Sequence, residues 1–260
     1  VPYYLKDGEA TGIIMKRAVI GAGFSIWLAV TGQATAQLAP VSTAPVVVEL
    51  FTSQGCSSCP PADMLLGQLA GRADVIALSL HVDYWDYLGW VDELAQPAFT
   101  LRQKAYAHVS GARAIYTPQM IVAGSDAVMG PNAAELAELI ARYALEPERI
   151  GLRIAHEGGQ LQIEVVADPP LEREVVLQVV RYLPKVHVAI VSGENAGRNA
   201  DYFNVATRWT TLAEWDGKAP LVLSLVLDGP EPAVLIVQEL RPGGKYSALP
   251  GPIIAAARLD

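Results

Sequence analysis

The sequence predicts an α/β domain followed by an antiparallel β-sandwich, and three observations support this fold class. The chain has 260 residues, a length that suits two domains of about 100 to 150 residues each. In the first half, short apolar runs alternate with amphipathic segments of helical period, which is typical of helices packed on a sheet. From Ile150 onward apolar residues recur at every second position, which indicates strands with one buried face. We therefore expect an α/β domain over residues 46–147 and a β-sandwich over residues 148–260.

The first domain begins with a buried strand and continues with helices and further strands. Val46–Phe51 is apolar apart from Glu49, as expected of a strand that is covered on both faces. Asn132 is a favourable N-cap, because its side-chain oxygen can accept a hydrogen bond from an N–H of the first helical turn. We predict strands at 46–51, 74–82, 119–122 and 127–129 and helices at 62–70, 97–109 and 132–145.

The second domain shows strand patterns and no helical segment. Leu161, Ile163 and Val165 alternate with polar residues after a Gly158-Gly159 turn. Further apolar runs lie at 175–183, 186–191, 202–215, 221–227 and 233–240. About seven short strands separated by turns are the pattern of an antiparallel sandwich.

Composition and charge exclude several classes of protein. A net charge of -8 and a pI near 5.0 argue against a nucleic-acid-binding protein, which needs a basic face. A hydrophobic fraction of 52% is too high for a disordered chain. Two cysteines are too few for a disulfide-rich scaffold or a four-cysteine zinc site.

The N-terminal segment predicts export. In residues 15–36, Lys16 and Arg17 precede an apolar stretch at 18–30, and Ala34-Thr35-Ala36 forms a small-residue cleavage site. We expect cleavage before Gln37, with an uncleaved anchor as the alternative. Residues 1–36 then consist of a signal peptide that starts at Met15 and of the residues upstream of that natural start. Residues 37–45 are a linker. The prediction is a periplasmic or secreted protein without a membrane anchor after cleavage.

The two cysteines occupy a position that favours redox chemistry. Cys56-Ser57-Ser58-Cys59 lies between a predicted strand and a predicted helix, where free N–H groups and the helix dipole stabilise a thiolate on Cys56. The alternatives are a structural disulfide and half of a metal site. A disulfide across so short a loop would contribute only about 2 kcal/mol to stability. We therefore favour a redox pair.

Thr117-Pro118 strengthens this interpretation. It stands just before the third predicted strand, where a thioredoxin-like fold has a cis-proline beside its cysteine pair. A proline that opens a buried strand is otherwise unfavourable, because it lacks a donor for the ladder. We expect a cis bond and a position close to Cys56.

Four segments resemble the secreted domain-of-unknown-function family numbered 1223, and the resemblance extends over about residues 45 to 258. They are ELFTSQGCSSCPPAD (49–63), HVDYWDYLGW (81–90), YTPQMIV (116–122) and GENAGR (193–198). The resemblance implies a thioredoxin-like first domain, a β-rich second domain and export. It implies no settled activity.

Several residues near the pair are candidates for supporting roles. We expect Glu49 to be a buried base that takes a proton from Cys59; the alternatives are a pair with Lys104 or Arg113 and a position at a partly hydrated strand edge. We expect Tyr84, Trp85, Tyr116 and Thr117 to hold the substrate, although Trp85 could equally be core. The polar loop 194–198 is read either as facing the first domain or as a solvated turn.

The sequence predicts a thiol–disulfide oxidoreductase in which Cys56 is the nucleophile, Cys59 resolves the mixed disulfide and Pro118 completes the site. We expect protein or small-molecule thiols and disulfides as partners. No cofactor is expected, since nucleotide, flavin and haem motifs are absent from the sequence. The first alternative is a copper or zinc chaperone that uses Cys56, Cys59 and His81, with Asp83 as a further ligand. The second is a binding protein with an inert disulfide.

Overall fold

The structure is a computed structural model that describes residues 44–243 and 248–259. The predicted signal peptide and most of the predicted linker lie outside the described residues. The strands are β1 (Val46–Thr52), β2 (Val75–His81), β3 (Gln119–Val122), β4 (Asp126–Met129), β5 (Ile150–Glu157), β6 (Gln160–Ala167), β7 (Val175–Ile190), β8 (Arg198–Trp215), β9 (Leu221–Leu225), β10 (Ala233–Arg241) and β11 (Leu249–Arg258). The helices are α1 (Pro60–Ala70), α2 (Pro97–Ser110) and α3 (Ala133–Tyr143).

The helices of the first half lie where the sequence predicts them, with small shifts at their ends. α1 starts two residues earlier than expected, because proline is tolerated in a first turn whose N–H groups lack helical partners. α3 starts directly after Asn132, whose side chain accepts a hydrogen bond from the Glu135 N–H at 3.3 Å. In the described part of the chain, each helix is too short or too polar to cross a bilayer.

The large sheet has eight strands in the order β11-β10-β7-β8-β2-β1-β3-β4. β1 and β2 are parallel, and β3 runs antiparallel to β1. β2 pairs with β8 in parallel through Ser79 and Val205, so strands from both sides of the predicted boundary at residue 147 share one sheet. The coarse prediction of a mixed α/β fold is confirmed, and the second half extends the sheet of the first.

A second, antiparallel sheet consists of β5, β6 and β9. It packs on the outer part of the large sheet through an apolar cluster that includes Ile163 and Leu223 from the small sheet and Leu177 and Leu235 from β7 and β10. The second half is therefore built of strands in two layers, one of which belongs to the eight-stranded sheet.

The two faces of β1 lead to different surroundings. Val47 and Phe51 pack with Tyr106 and Phe99 of α2, whereas Val48 and Leu50 belong to the cluster that includes residues of α1 and α3. Because side chains alternate along a strand, Glu49 faces α2 and Thr52 faces α1. This alternation determines which polar residues can reach the cysteines.

Candidate functional site

The two cysteines form a disulfide at the junction of β1 and α1, with their Cα atoms 5.4 Å apart. Cys59 is the N-cap residue of α1, and its carbonyl oxygen accepts hydrogen bonds from the N–H groups of Ala62 and Asp63. Cys56 is 2% exposed and Cys59 fully buried, whereas Ser57 and Ser58 between them are exposed. The disulfide is covered, and a partner has to approach it at the exposed turn.

The predicted Thr117-Pro118 segment lies beside this turn. Its peptide bond is cis, as expected. The hydroxyl of Ser58 donates to the Thr117 carbonyl at 3.4 Å, and the Trp85 indole N–H donates to the Thr117 hydroxyl at 2.7 Å. The structure thus brings the cysteine turn, Thr117 and Trp85 together at one end of the sheet.

The two tyrosines predicted to bind substrate, Tyr84 and Tyr116, both contact Gln103 of α2. Tyr84 is half-buried with its ring tilted against Trp85, its hydroxyl donates to Gln103, and burial raises its pKa to about 12. The main-chain carbonyl of Tyr116 accepts a hydrogen bond from the Gln103 side chain at 2.7 Å. Gln103 therefore braces both segments that carry the predicted substrate-binding residues.

Glu49 does not occupy the position that the sequence suggested. Its carboxylate is fully buried and faces α2, on the side of the sheet opposite α1. The Arg102 Nε and the Tyr106 hydroxyl each donate to it at 2.6 Å, so its partner is neither Lys104 nor Arg113. The expectation of an unpaired base near Cys59 is corrected by this ion pair.

His81 is buried within hydrogen-bond distance of a carboxylate. Its Nδ1 lies 2.7 Å from Asp92 Oδ2, and its ring packs edge-on against Tyr202. Its Nε2 has no hydrogen-bond partner among the described residues. Asp83 accepts a hydrogen bond from Thr100 instead. Within residues 44–243 and 248–259, no three His, Cys, Asp or Glu side chains are grouped as metal ligands would be.

Asp63 is the carboxyl group that sequence reasoning missed. It lies in the first turn of α1, four residues after Cys59, and is 6% exposed. The Thr52 hydroxyl donates to it at 2.7 Å. Burial raises its pKa from 3.8 to about 7, although nearby His81 lowers it in part. A carboxyl group with this pKa can hold or release a proton at neutral pH.

A second set of residues, from the loop 194–198 and from the segment after β2, holds the cysteine loop in place. The Asn195 side-chain NH₂ donates to the carbonyl oxygens of Gln54 and Cys56, both at 2.9 Å. The Gln54 N–H donates to Asp92, and the Trp90 indole donates to the Gln54 side chain. The loop 194–198 is therefore docked on the cysteine loop at Asn195. Of the two alternatives for this loop, contact with the first half of the chain is the one that the structure shows.

The family model described as "Protein of unknown function (DUF1223)" matches residues 47–238, which contain the cysteine loop and all the residues that brace it. The chain belongs to the DUF1223 family. None of the curated proteins is significantly similar to it in sequence.

Two solved structures are similar to this DUF1223 chain. A crystal structure of an Agrobacterium tumefaciens protein is 29% identical, with a TM-score of 0.71 over 84% of this chain and 95% of that one. HBP35 of Porphyromonas gingivalis is 15% identical, with a TM-score of 0.53 over 83% of this chain and 74% of that one. The second likeness concerns the fold alone.

Proposed function

We propose that this DUF1223 protein is an exported thiol–disulfide oxidoreductase whose reactive group is the Cys56–Cys59 disulfide. The observation that supports this most directly is the placement of the disulfide at the N-terminus of α1, four residues before the buried Asp63 carboxyl. A disulfide between residues three apart ties no distant segments together, so a purely structural role would contribute little.

We also propose that the first half of the chain is thioredoxin-like and that the second half is a β-sandwich. The order β1, cysteine turn, α1, parallel β2 and Thr117-Pro118 before β3 supports a thioredoxin-like first half. The packing of β5, β6 and β9 on the outer strands supports a sandwich-like second half that shares the large sheet.

The proposed reaction moves two electrons between sulfur atoms. When the protein acts as oxidant, a substrate thiolate attacks Cys56, the Cys56–Cys59 bond breaks, and Cys59 leaves as a thiolate that takes up a proton. A second substrate thiolate then attacks the substrate sulfur bound to Cys56, which forms the substrate disulfide and releases reduced Cys56. The reducing direction runs the same steps backwards.

Asp63 is the group that we assign to proton exchange with Cys59. Both residues belong to the N-terminal turn of α1, and the Asp63 N–H donates to the Cys59 carbonyl at 3.1 Å. A carboxyl group with a pKa of about 7 is protonated in about half of the molecules at neutral pH, which suits general acid–base catalysis. Asp63 takes the role that the sequence analysis gave to Glu49.

The two alternative functions make different demands on the site. A copper or zinc chaperone needs reduced cysteines and a third ligand, whereas the Nδ1 of His81 lies against Asp92 and its ring is buried against Tyr202. An inert disulfide in a binding protein needs neither the Asp63 carboxyl nor a thiolate.

The deciding experiment traps a mixed disulfide. In the Cys59→Ser variant, Cys56 keeps its position at the helix N-terminus but nothing resolves the adduct, so disulfide-linked partners should accumulate on non-reducing gels. The Cys56→Ser variant is the matched control and should trap far less. We also expect Cys56 to alkylate faster than Cys59 in the reduced protein near pH 6. Equal trapping by both variants, or none by either, would exclude the redox function.

A further inference from the structure

A groove of about 780 Å³ runs between α1 and the end of the β7–β8 hairpin. Its wall on the helix side includes Pro60, Asp63 and Met64, so its end adjoins the cysteine turn. The volume lies within the range of sites that bind ligands in proteins. The groove lies on the α1 side, away from the predicted substrate residues Tyr84, Trp85 and Tyr116.

The wall opposite α1 is one edge of a strand. All six consecutive residues 198–203 line the groove, and since side chains alternate between the faces of a strand, a run without gaps indicates that the groove follows the strand edge. One edge of this segment pairs with β7, from Ile190 with Arg198 to Lys185 with Phe203. In the described part of the chain, β2 pairs with β8 only at Val205, so the other edge of 198–203 has no strand beside it.

A buried acceptor stands where the groove meets the cysteine loop. Asn195 lines the groove, is 2% exposed and uses its NH₂ group to hold the carbonyl oxygens of Gln54 and Cys56. Its Oδ1 has no partner among the described residues. A buried side-chain oxygen without a donor is unfavourable, and a ligand N–H would satisfy it.

We propose that the groove binds an extended polypeptide segment of the substrate, which adds a strand to the open edge of β8 at residues 198–203. Main-chain groups of the segment pair with those of β8, and one of its N–H groups donates to Asn195 Oδ1. A strand edge offers alternating N–H and C=O groups, which an extended peptide matches and a compact small-molecule thiol does not. This inference rests on the proposed function, since the bound segment is the substrate of the oxidoreductase. The substrate class is therefore unfolded segments of proteins.

The test uses the Cys56→Ser, Cys59→Ser double variant, so that binding cannot be covalent. The probe is a fluorescein-labelled eight-residue peptide of alternating threonine and valine with one solubilising lysine. Met64→Arg, placed in the groove, should weaken binding at least 10-fold, as read by fluorescence anisotropy. Met129→Arg is the matched control, because Met129 is similarly exposed (71% against 65%) and does not line the groove; it should change binding less than twofold.

Methylated peptides test strand pairing itself. Successive main-chain N–H groups of a strand point to opposite sides, so N-methylation at alternate residues should abolish binding in one register and leave it intact in the other. Equal effects in both registers, no binding of the peptide, or equal effects of the two arginine variants would overturn the inference.

A separate measurement distinguishes failure of the site from failure of the chemistry. Exchange of the reduced wild-type protein with oxidised glutathione reports on the cysteines alone. Exchange without peptide binding would overturn the proposal that the groove binds peptides and would leave the proposed redox function standing. Peptide binding without exchange would leave the peptide site standing and would overturn the redox function.

Discussion

Two buried carboxylates in this protein show how surroundings decide the role of a residue. Glu49 has a guanidinium and a phenol at 2.6 Å, whereas Asp63 has one hydroxyl and only a nearby imidazole. Burial therefore raises the pKa of Asp63 to about 7. From the sequence, Glu49 stood out because it interrupts an apolar strand. Asp63 resembled an ordinary first-turn aspartate, which the helix dipole favours, and so was missed.

The pKa of Asp63 predicts how stability depends on pH. A carboxyl group whose pKa is raised in the folded state stabilises the fold fully below about pH 4 and loses this effect as the pH rises through 7. At about 1.4 kcal/mol per pKa unit, the change is of the order of 4 kcal/mol. In urea titrations, Asp63→Asn should remove this part of the decline between about pH 4 and pH 7.

The matched control for this prediction is Asp228→Asn, which changes an exposed carboxylate. It should keep the decline of the wild type. If the Asp63 variant kept it as well, Asp63 would be ionised throughout this range, and its assignment to proton exchange with Cys59 would fail.

The ion pair between Arg102 and Glu49 predicts a large effect on stability. Arg102→Met leaves a buried carboxylate without its cation and should lower the free energy of unfolding by about 3–5 kcal/mol. Arg153→Met breaks a pair whose arginine is 81% exposed and should cost under about 1 kcal/mol. Chemical denaturation measures both, and similar losses would contradict the argument.

The β7–β8 hairpin is the element whose strands differ most from those predicted from the sequence. The apolar runs 175–183 and 186–191 predicted two separate strands. The structure has one strand of 16 residues, in which Pro184 and the facing Asn204 are left out of the ladder. A proline without an N–H is tolerated there because no ladder bond is required of it. The added length carries the hairpin tip to the cysteine loop.

The tip of the β7–β8 hairpin contacts the cysteine loop through Asn195, and we predict that breaking this contact speeds reduction of the Cys56–Cys59 disulfide. Asn195→Ala removes two hydrogen bonds to the cysteine loop, each worth about 1 kcal/mol, so dithiothreitol should reduce the disulfide roughly 30-fold faster. Asn199→Ala changes an exposed asparagine of the same hairpin and should leave the rate unchanged. Equal rates in both variants would show that the tip does not restrict access to the disulfide.

The whole molecule is held together by a core that both halves share. The apolar cluster that contains Phe51 and Leu80 of the first half also contains Val180, Trp209 and Ile236 of the second. The change of hydrophobic period near residue 147 was readable from the sequence, because it is a local pattern. The pairing of β2 with β8 was not, because it joins segments more than a hundred residues apart and depends on which strand edge is left open.

The shared core predicts that the first half does not fold alone. A fragment of residues 44–147 lacks the strands that cover Phe51 and Leu80, so it should unfold without a cooperative transition and lack near-ultraviolet circular dichroism. The chain of residues 44–259 provides the reference. A cooperative fragment with native-like spectra would show that the first half is an independent domain.

The joint between β2 and β8 also constrains how the newly made chain reaches its fold. The ribosome releases β2 well before Val205, and until then the β2 edge exposes unpaired main-chain groups beside apolar side chains. Pairings of such high contact order form slowly, and an open edge of this kind is a template for aggregation. Until β8 has paired with β2, this edge is therefore the part of the folding chain most exposed to aggregation, whatever chemistry the finished disulfide performs.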